Sequence, residues 1–161
     1  MQMVKRILLG LVALSVLVAA LAWIFQREVG TRLLQRIAHK QVGRNIVPEL
    51  PDGLHLALCG TGSPFPDASR AGPCSVVIAG DRIFIIDAGE GSARNLGYMG
   101  IPVGKAEALF LTHFHSDHID GLSPIMLQHW GLASSTTALP VYGPTGVDKV
   151  VDGFRSAYVF D

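Results

Sequence analysis

The chain changes hydrophobic period twice, and the changes divide it. From Ile7 to Phe25 no residue is charged, a run of 19 positions bounded by Lys5-Arg6 and by Arg27-Glu28. At helical rise such a run covers about 28 Å, close to the thickness of a bilayer core. It predicts a transmembrane helix. A cleaved signal peptide is the alternative, because Ala20-Leu21-Ala22 offers an A-x-A-like site. Against cleavage, Trp23-Ile24-Phe25 extends the run, and Trp suits an interfacial anchor. A buried helix of a soluble protein is the remaining reading. Beyond it, Val29, Leu33, Leu34, Ile37 and Ala38 recur at helical spacing with Arg32, Arg36 and Lys40 between them. This is the pattern of a basic amphipathic helix lying on a membrane surface, or of a solvated linker helix. Pro48 and Pro51-Asp52-Gly53 then punctuate the chain. The expected organisation is an anchor or signal over 1–28, an amphipathic linker over 29–53, and a body over 54–161.

In the body, short apolar runs alternate with glycine-rich turns. Leu54–Leu58 reads as a strand. Ser75–Ala79 and Arg82–Asp87 read as a hairpin about Gly80-Asp81. Gly91–Tyr98 reads as a short helix, Ala106–Thr112 as a buried strand and Ile119–Trp130 as a helix. Leu139–Tyr142 follows as a strand and Val147–Tyr158 as a helix with Val147, Val150, Val151, Phe154 and Tyr158 on one face. Hairpin strands followed by alternating strands and helices predict a layered α/β fold.

Length and charge narrow the function. The 161 residues make about one domain. Thirteen Lys and Arg balance thirteen Asp and Glu, so no global field favours nucleic acid or an acidic partner. The two cysteines, Cys59 and Cys74, can pair once but have no C-x-x-C spacing, and they leave the redox compartment open.

The chemistry concentrates at residues 113–118, His-Phe-His-Ser-Asp-His, directly after the apolar run Ala108–Thr112. Three of the six histidines and one carboxylate fall within six positions, and these are the ligands that zinc and similar divalent ions take. In an extended segment residues two apart share a side, so His113 and His115 can grip one ion. Asp117 and His118 follow where the chain turns, and are expected to face a second. Two adjacent metals suit hydrolysis: a hydroxide held between them is a strong nucleophile at neutral pH. The opposing reading is histidines satisfied by ordinary hydrogen bonds. His129 reads as a helix-face residue, His39 and His55 lack ligand spacing, and Arg70 reads as a surface residue or a contact for an anionic substrate. Glu90 reads as a charge at a helix start or an aid to Asp87.

His113-Phe-His115-Ser-Asp117-His118, followed by Ile-Asp-Gly121-Leu122, resembles the H-x-H-x-D-H signature of the metallo-β-lactamase superfamily. Leu58-Cys-Gly60-Thr-Gly62-Ser-Pro64, Ile85-Ile-Asp87-Ala-Gly89-Glu90-Gly91 and Pro140-Val-Tyr-Gly-Pro144-Thr-Gly146 resemble stretches of its ribonuclease Z-like branch. The resemblance covers residues 54–161. It implies a zinc-dependent hydrolase, most like ribonuclease Z-type phosphodiesterases, with sulfate ester, lactone or thioester hydrolysis on the same scaffold as the alternative. By position, His113 and His115 would hold one zinc, and Asp117 and His118 the other. Asp117 would also serve as proton acceptor, although a zinc-bound carboxylate is a poor base. Asp87 would sit beneath the cluster and orient the ligands. Iron and manganese suit the same donors.

The resemblance further implies an αββα sandwich of two similar halves, of which residues 54–161 would form the N-terminal half. Four ligands for two ions fall below the usual three plus water. The expectation is therefore a truncated chain, inactive alone, whose uncovered apolar faces favour association into an oligomer. The expected partners are a membrane, through the N-terminal helix, and an ester or phosphodiester substrate, RNA included. Lys5 and Arg6 before the run and four cations after it favour opposite orientations. The weight falls on a membrane anchor with the body outside the cytoplasm, the alternatives being secretion after cleavage or a cytoplasmic body.

Overall fold

A computed structural model describes residues 2–41, 44–65, 67–132 and 137–160, without the side chains of 34, 35 and 37–41. It divides into two compact units, Met1–Lys40 and Gln41–Asp161. The first is a single helix, α1 (Gln2–Gln41). Its stretch Gln2–Leu33 is long and apolar enough to cross a membrane. The helix continues without a break through residue 28, where the sequence pattern suggests that anchor gives way to linker. Leu34, Ile37, Ala38 and Lys40, on which the expected amphipathic face depends, have side chains outside the described residues.

The second unit is built on a five-stranded sheet in sequential order. Its strands are β1 (Leu54–Gly60), β2 (Cys74–Ala79), β3 (Arg82–Ile86), β4 (Ala106–Phe110) and β5 (Val141–Tyr142). β1, β2 and β3 form an antiparallel meander, and β4 and β5 add in parallel. The β2–β3 turn is the expected pair Gly80-Asp81. Gly80 takes φ 62 there, the glycine-first arrangement of a type II′ hairpin. Helices α2 (Ser92–Met99), α3 (Ser116–Ile119) and α4 (Leu122–Leu132) fill the connections, and α5 (Val147–Ala157) follows β5.

Alternation along the strands gives the sheet two unlike faces. Val76, Ile78, Ile83, Ile85 and Leu109 point into the core, where they meet Leu96 of α2 and Leu122 and Ile125 of α4, all at most 1% exposed. The opposite face is also apolar but open: Leu54, Leu56 and Leu58 are 77%, 69% and 58% exposed. Phe110 stacks on Tyr142 at 5.3 Å on that face, and the Arg82 guanidinium lies 5.0 Å over Phe84. Arg82 also pairs with Glu107 at 2.7 Å, which raises the arginine pKa and lowers that of the carboxylate.

Three boundaries differ from the sequence reading, each because a hydrogen bond goes elsewhere. β4 stops at Phe110 and not at Thr112, because the Thr112 N–H donates to Asp87 Oδ1. The helix expected from Ile119 is two pieces, α3 and α4. Ala88 takes the His118 carbonyl at 2.8 Å and the Gly121 N–H at 2.7 Å, pinning residues 118–121 to the end of β3. β5 is two residues long, since Pro140 has no N–H to give. Cys59 and Cys74 are disulfide-bonded across β1 and β2, with Cα atoms 5.0 Å apart.

Candidate metal centre

Parts of three loops meet beyond the C-terminal ends of β3 and β4: residues 60–62 with 70–73, residues 87–91, and residues 113–121. Gly62 N–H donates to Ala71 O, Gly72 N–H to Glu90 O and Gly89 N–H to Pro73 O. The approach is close enough to exclude side chains. A Cβ at Gly89 would sit 2.4 Å from Asp117 O and 2.4 Å from Gly72 C, and one at Gly121 would collide with Gly89 O. The glycines of the loop after β1 and of the loop after β3 thus form the floor under the histidine segment.

His113, His115, Asp117 and His118 are brought together. The chain leaves β4 extended, and at His115 (φ −63, ψ 147) it turns into the single turn of α3. His118 N–H donates to His115 O and closes that turn. The turn carries His118 back towards His113 and does not separate the two expected pairs: the His113 ring lies 4.0 Å from the His118 ring and 4.6 Å from the His115 ring. His118 Nε2 is 3.6 Å from Asp117 Oδ2. Among the described residues no three His, Cys, Asp or Glu side chains converge in metal-holding geometry. The three imidazoles pack on one another instead.

Asp87 lies below this cluster. Its backbone φ of 59 is the one positive value at a non-glycine position among the described residues. The carboxylate is buried, and its Oδ1 accepts the Thr112 N–H at 2.8 Å. The Thr112 hydroxyl lies 3.0 and 2.9 Å from the two carboxylate oxygens and 3.0 Å from His113 Nδ1. Asp87 Oδ2 is 2.9 Å from His118 Nδ1. That contact is close in distance but lacks the direction of a hydrogen bond, so Nδ1 is buried without a hydrogen-bond partner. Asp87 therefore touches His118 directly and His113 through Thr112.

Thr112 escapes the sequence reading, because nothing in a strand-end Thr distinguishes a bridging hydroxyl from a packed one. The other candidates fall outside the cluster. His129 is buried on α4 with Nε2 3.2 Å from Ala106 O, and His55 Nε2 lies 2.8 Å from Pro51 O. Arg70 pairs with Asp67 at 2.6 Å. The Asp67 carboxyl is held well below its ordinary pKa, first by the Ser69 hydroxyl and backbone N–H and then by Arg70. Glu90 is exposed, and Phe114 packs on the core. His39 lies outside the described side chains.

Known proteins resemble this chain in sequence and fold. Residues 54–142 match the family described as Anti-Pycsar protein Apyc1. The ribonuclease Z of Mycolicibacterium gilvum is 40% identical over 110 residues, which are 67% of this chain and 38% of that protein. The metallo-β-lactamase fold protein YhfI of Bacillus subtilis superposes with a TM-score of 0.53 at 27% identity, over 62% of this chain and 40% of that one. The short form of human tRNase Z superposes with a TM-score of 0.59 at 23% identity, over 66% and 40%, a likeness of fold. The chain thus spans about two-fifths of the length of these relatives. By these matches it belongs to the metallo-β-lactamase superfamily, in its ribonuclease Z-like branch, and its residues 54–142 to the family described as Anti-Pycsar protein Apyc1.

Proposed function

We propose that the body is the metal-binding portion of a metal-dependent hydrolase that cleaves a phosphodiester, RNA among its candidate substrates. The observation that carries this reading is the gathering of three imidazoles and a carboxylate at one strand end, above a buried Asp87. A donor set of this kind suits a divalent cation. His113 and His115 would hold one zinc ion, and Asp117 and His118 a second. Zinc there would supply Lewis acidity towards an ester oxygen and lower the pKa of water. Asp87 holds the His118 ring from below, and through the Thr112 hydroxyl it also fixes the side of His113 that carries Nδ1. Asp117 acts as ligand in preference to base.

The open apolar face of the sheet supports packing against a second sheet, as in an αββα sandwich. The N-terminal apolar helix and the Cys59–Cys74 disulfide together support a membrane-anchored body in an oxidising compartment outside the cytoplasm.

A chimera tests the catalytic reading. Residues 54–161 replace the matching segment of the M. gilvum ribonuclease Z, with which the chain aligns over 110 residues. The expected chimera takes up zinc and cleaves bis(p-nitrophenyl) phosphate, and loses both properties on His113→Ala or His118→Ala. A folded, zinc-loaded chimera without turnover contradicts the proposal.

A further inference from the structure

A cavity of about 700 Å³ opens on the helical side of the body, near the start of β4. Lys105, on its rim, directly precedes the first residue of that strand, whereas His113 follows the last by three positions. Eight positions separate the two, about 26 Å at strand rise. Ile101 and Val103 give the cavity an apolar wall, and Arg44, Arg94, Lys105 and Tyr98 surround it.

Three cations share this cavity, and no Asp or Glu lines it. Among the described residues the arginine ion pairs involve Arg70, Arg82 and Arg155, so none of the three cations is neutralised. A methyl group at Gly100 would come within 3.0 Å of the Arg44 stem, and one at Gly91 within 2.8 Å of Arg94 Nη2, so each arginine occupies room left by a glycine. The Ile46 N–H donates to Gly100 O at 3.0 Å and fixes the segment that carries Arg44. Lys105 closes a 3-10 turn, its N–H donating to Pro102 O at 2.9 Å. Like charges lining one concave space repel one another, and an anion among them lowers that cost. The volume is that of a small-molecule site, and the apolar wall suits an organic body behind the anion.

We propose that this cavity binds a phosphate group carried on an organic body. Two sources share that chemistry, a soluble nucleotide and the headgroup of an anionic phospholipid. The test uses the full chain in phosphatidylcholine nanodiscs. In one arm ADP is titrated calorimetrically, with adenosine as comparator. In the other, phosphatidylglycerol replaces part of the phosphatidylcholine, and amide exchange of residues 93–105 is followed. Saturable ADP binding that adenosine does not reproduce identifies a soluble ligand. Protection that depends on phosphatidylglycerol identifies a lipid. In either case Arg44→Gln, Arg94→Gln and Lys105→Gln each weaken the response by roughly three- to tenfold, and the triple variant abolishes it. All three side chains are exposed, so the thermal transition stays in place, and the single variants decide should the triple variant fold poorly. No response in either arm, or a response that survives loss of the charges, overturns the proposal.

Discussion

Replacing Asp87 separates backbone strain from hydrogen bonding at the base of the histidine cluster. The residue is buried, sits at φ 59, and accepts the Thr112 N–H at 2.8 Å and the Thr112 hydroxyl at 2.9 and 3.0 Å. Asp87→Ala removes every acceptor and leaves a Cβ in the left-handed region. Orphaning the Thr112 N–H and losing charge-assisted bonds costs about 2–4 kcal/mol, and the backbone adds about 1 kcal/mol. The sum, about 3–5 kcal/mol, is a large part of the 5–15 kcal/mol typical of a domain. Asp87→Gly meets the same loss of acceptors without the left-handed penalty, so it is less damaging than Ala by about 1 kcal/mol. Asp87→Asn keeps one acceptor and tolerates this φ, and costs about 1–2 kcal/mol. The assay is denaturant unfolding of the full chain in non-ionic detergent, followed by near-ultraviolet circular dichroism, together with exchange of the Thr112 amide. The expected order of stability is Asn, Gly, Ala, with Thr112 protection lost in the last two. Equal stability of the Gly and Ala variants refutes the strain argument, and undiminished Thr112 protection in Ala refutes the hydrogen-bond argument.

Further outcomes follow from the same geometry. Gly89→Ala puts a Cβ 2.4 Å from Asp117 O, about 1 Å inside the 3.4 Å of ordinary contact, and a shift of that size weakens zinc binding by roughly 10- to 100-fold in calorimetry. Gly97→Ala, with open space around its Cβ, leaves zinc binding unchanged. Removing both Cys59 and Cys74 opens a link between residues 15 apart and lowers unfolding free energy by about 3 kcal/mol. The depressed Asp67 carboxyl contributes stability that is complete above its ordinary carboxylate pKa and lost only as pH falls through the lower folded value. Carboxyl NMR therefore shows Asp67 still ionised at about pH 3, and a midpoint near 4 contradicts the hydrogen-bonded turn. Leu56→Lys, on the open sheet face, changes stability by less than about 0.5 kcal/mol and raises the concentration at which light scattering first shows association.

The sequence makes some parts of this structure readable and hides others for definite reasons. The apolar runs of β2 and β3, with the two-residue turn Gly80-Asp81 between them, state the hairpin, and the length of that turn sets its register. The gathering of His113, His115, Asp117 and His118 follows from their closeness in the chain. What pattern cannot carry is the destination of single hydrogen bonds. Thr112 leaves the strand ladder for Asp87, and Ala88 binds both ends of 118–121, so β4 ends early and one expected helix becomes two. That Cys59 and Cys74, which can pair once, do pair depends on β1 lying beside β2 with a register shift between Leu58 and Gly60. The close approach of Gly72, Gly89 and Gly121 is likewise a product of three distant segments, each glycine looking in sequence like an ordinary turn.

The central claim is that the His113–His118 segment is a metal site, and zinc titration of the full chain tests it most directly. Calorimetry on the native chain is predicted to show saturable zinc binding. His113→Ala and His118→Ala weaken it by more than about a hundredfold. His55→Ala, whose ring lies against Pro51 O outside the cluster, leaves it unchanged. Zinc affinity that is the same in the native chain, His113→Ala and His118→Ala contradicts the account.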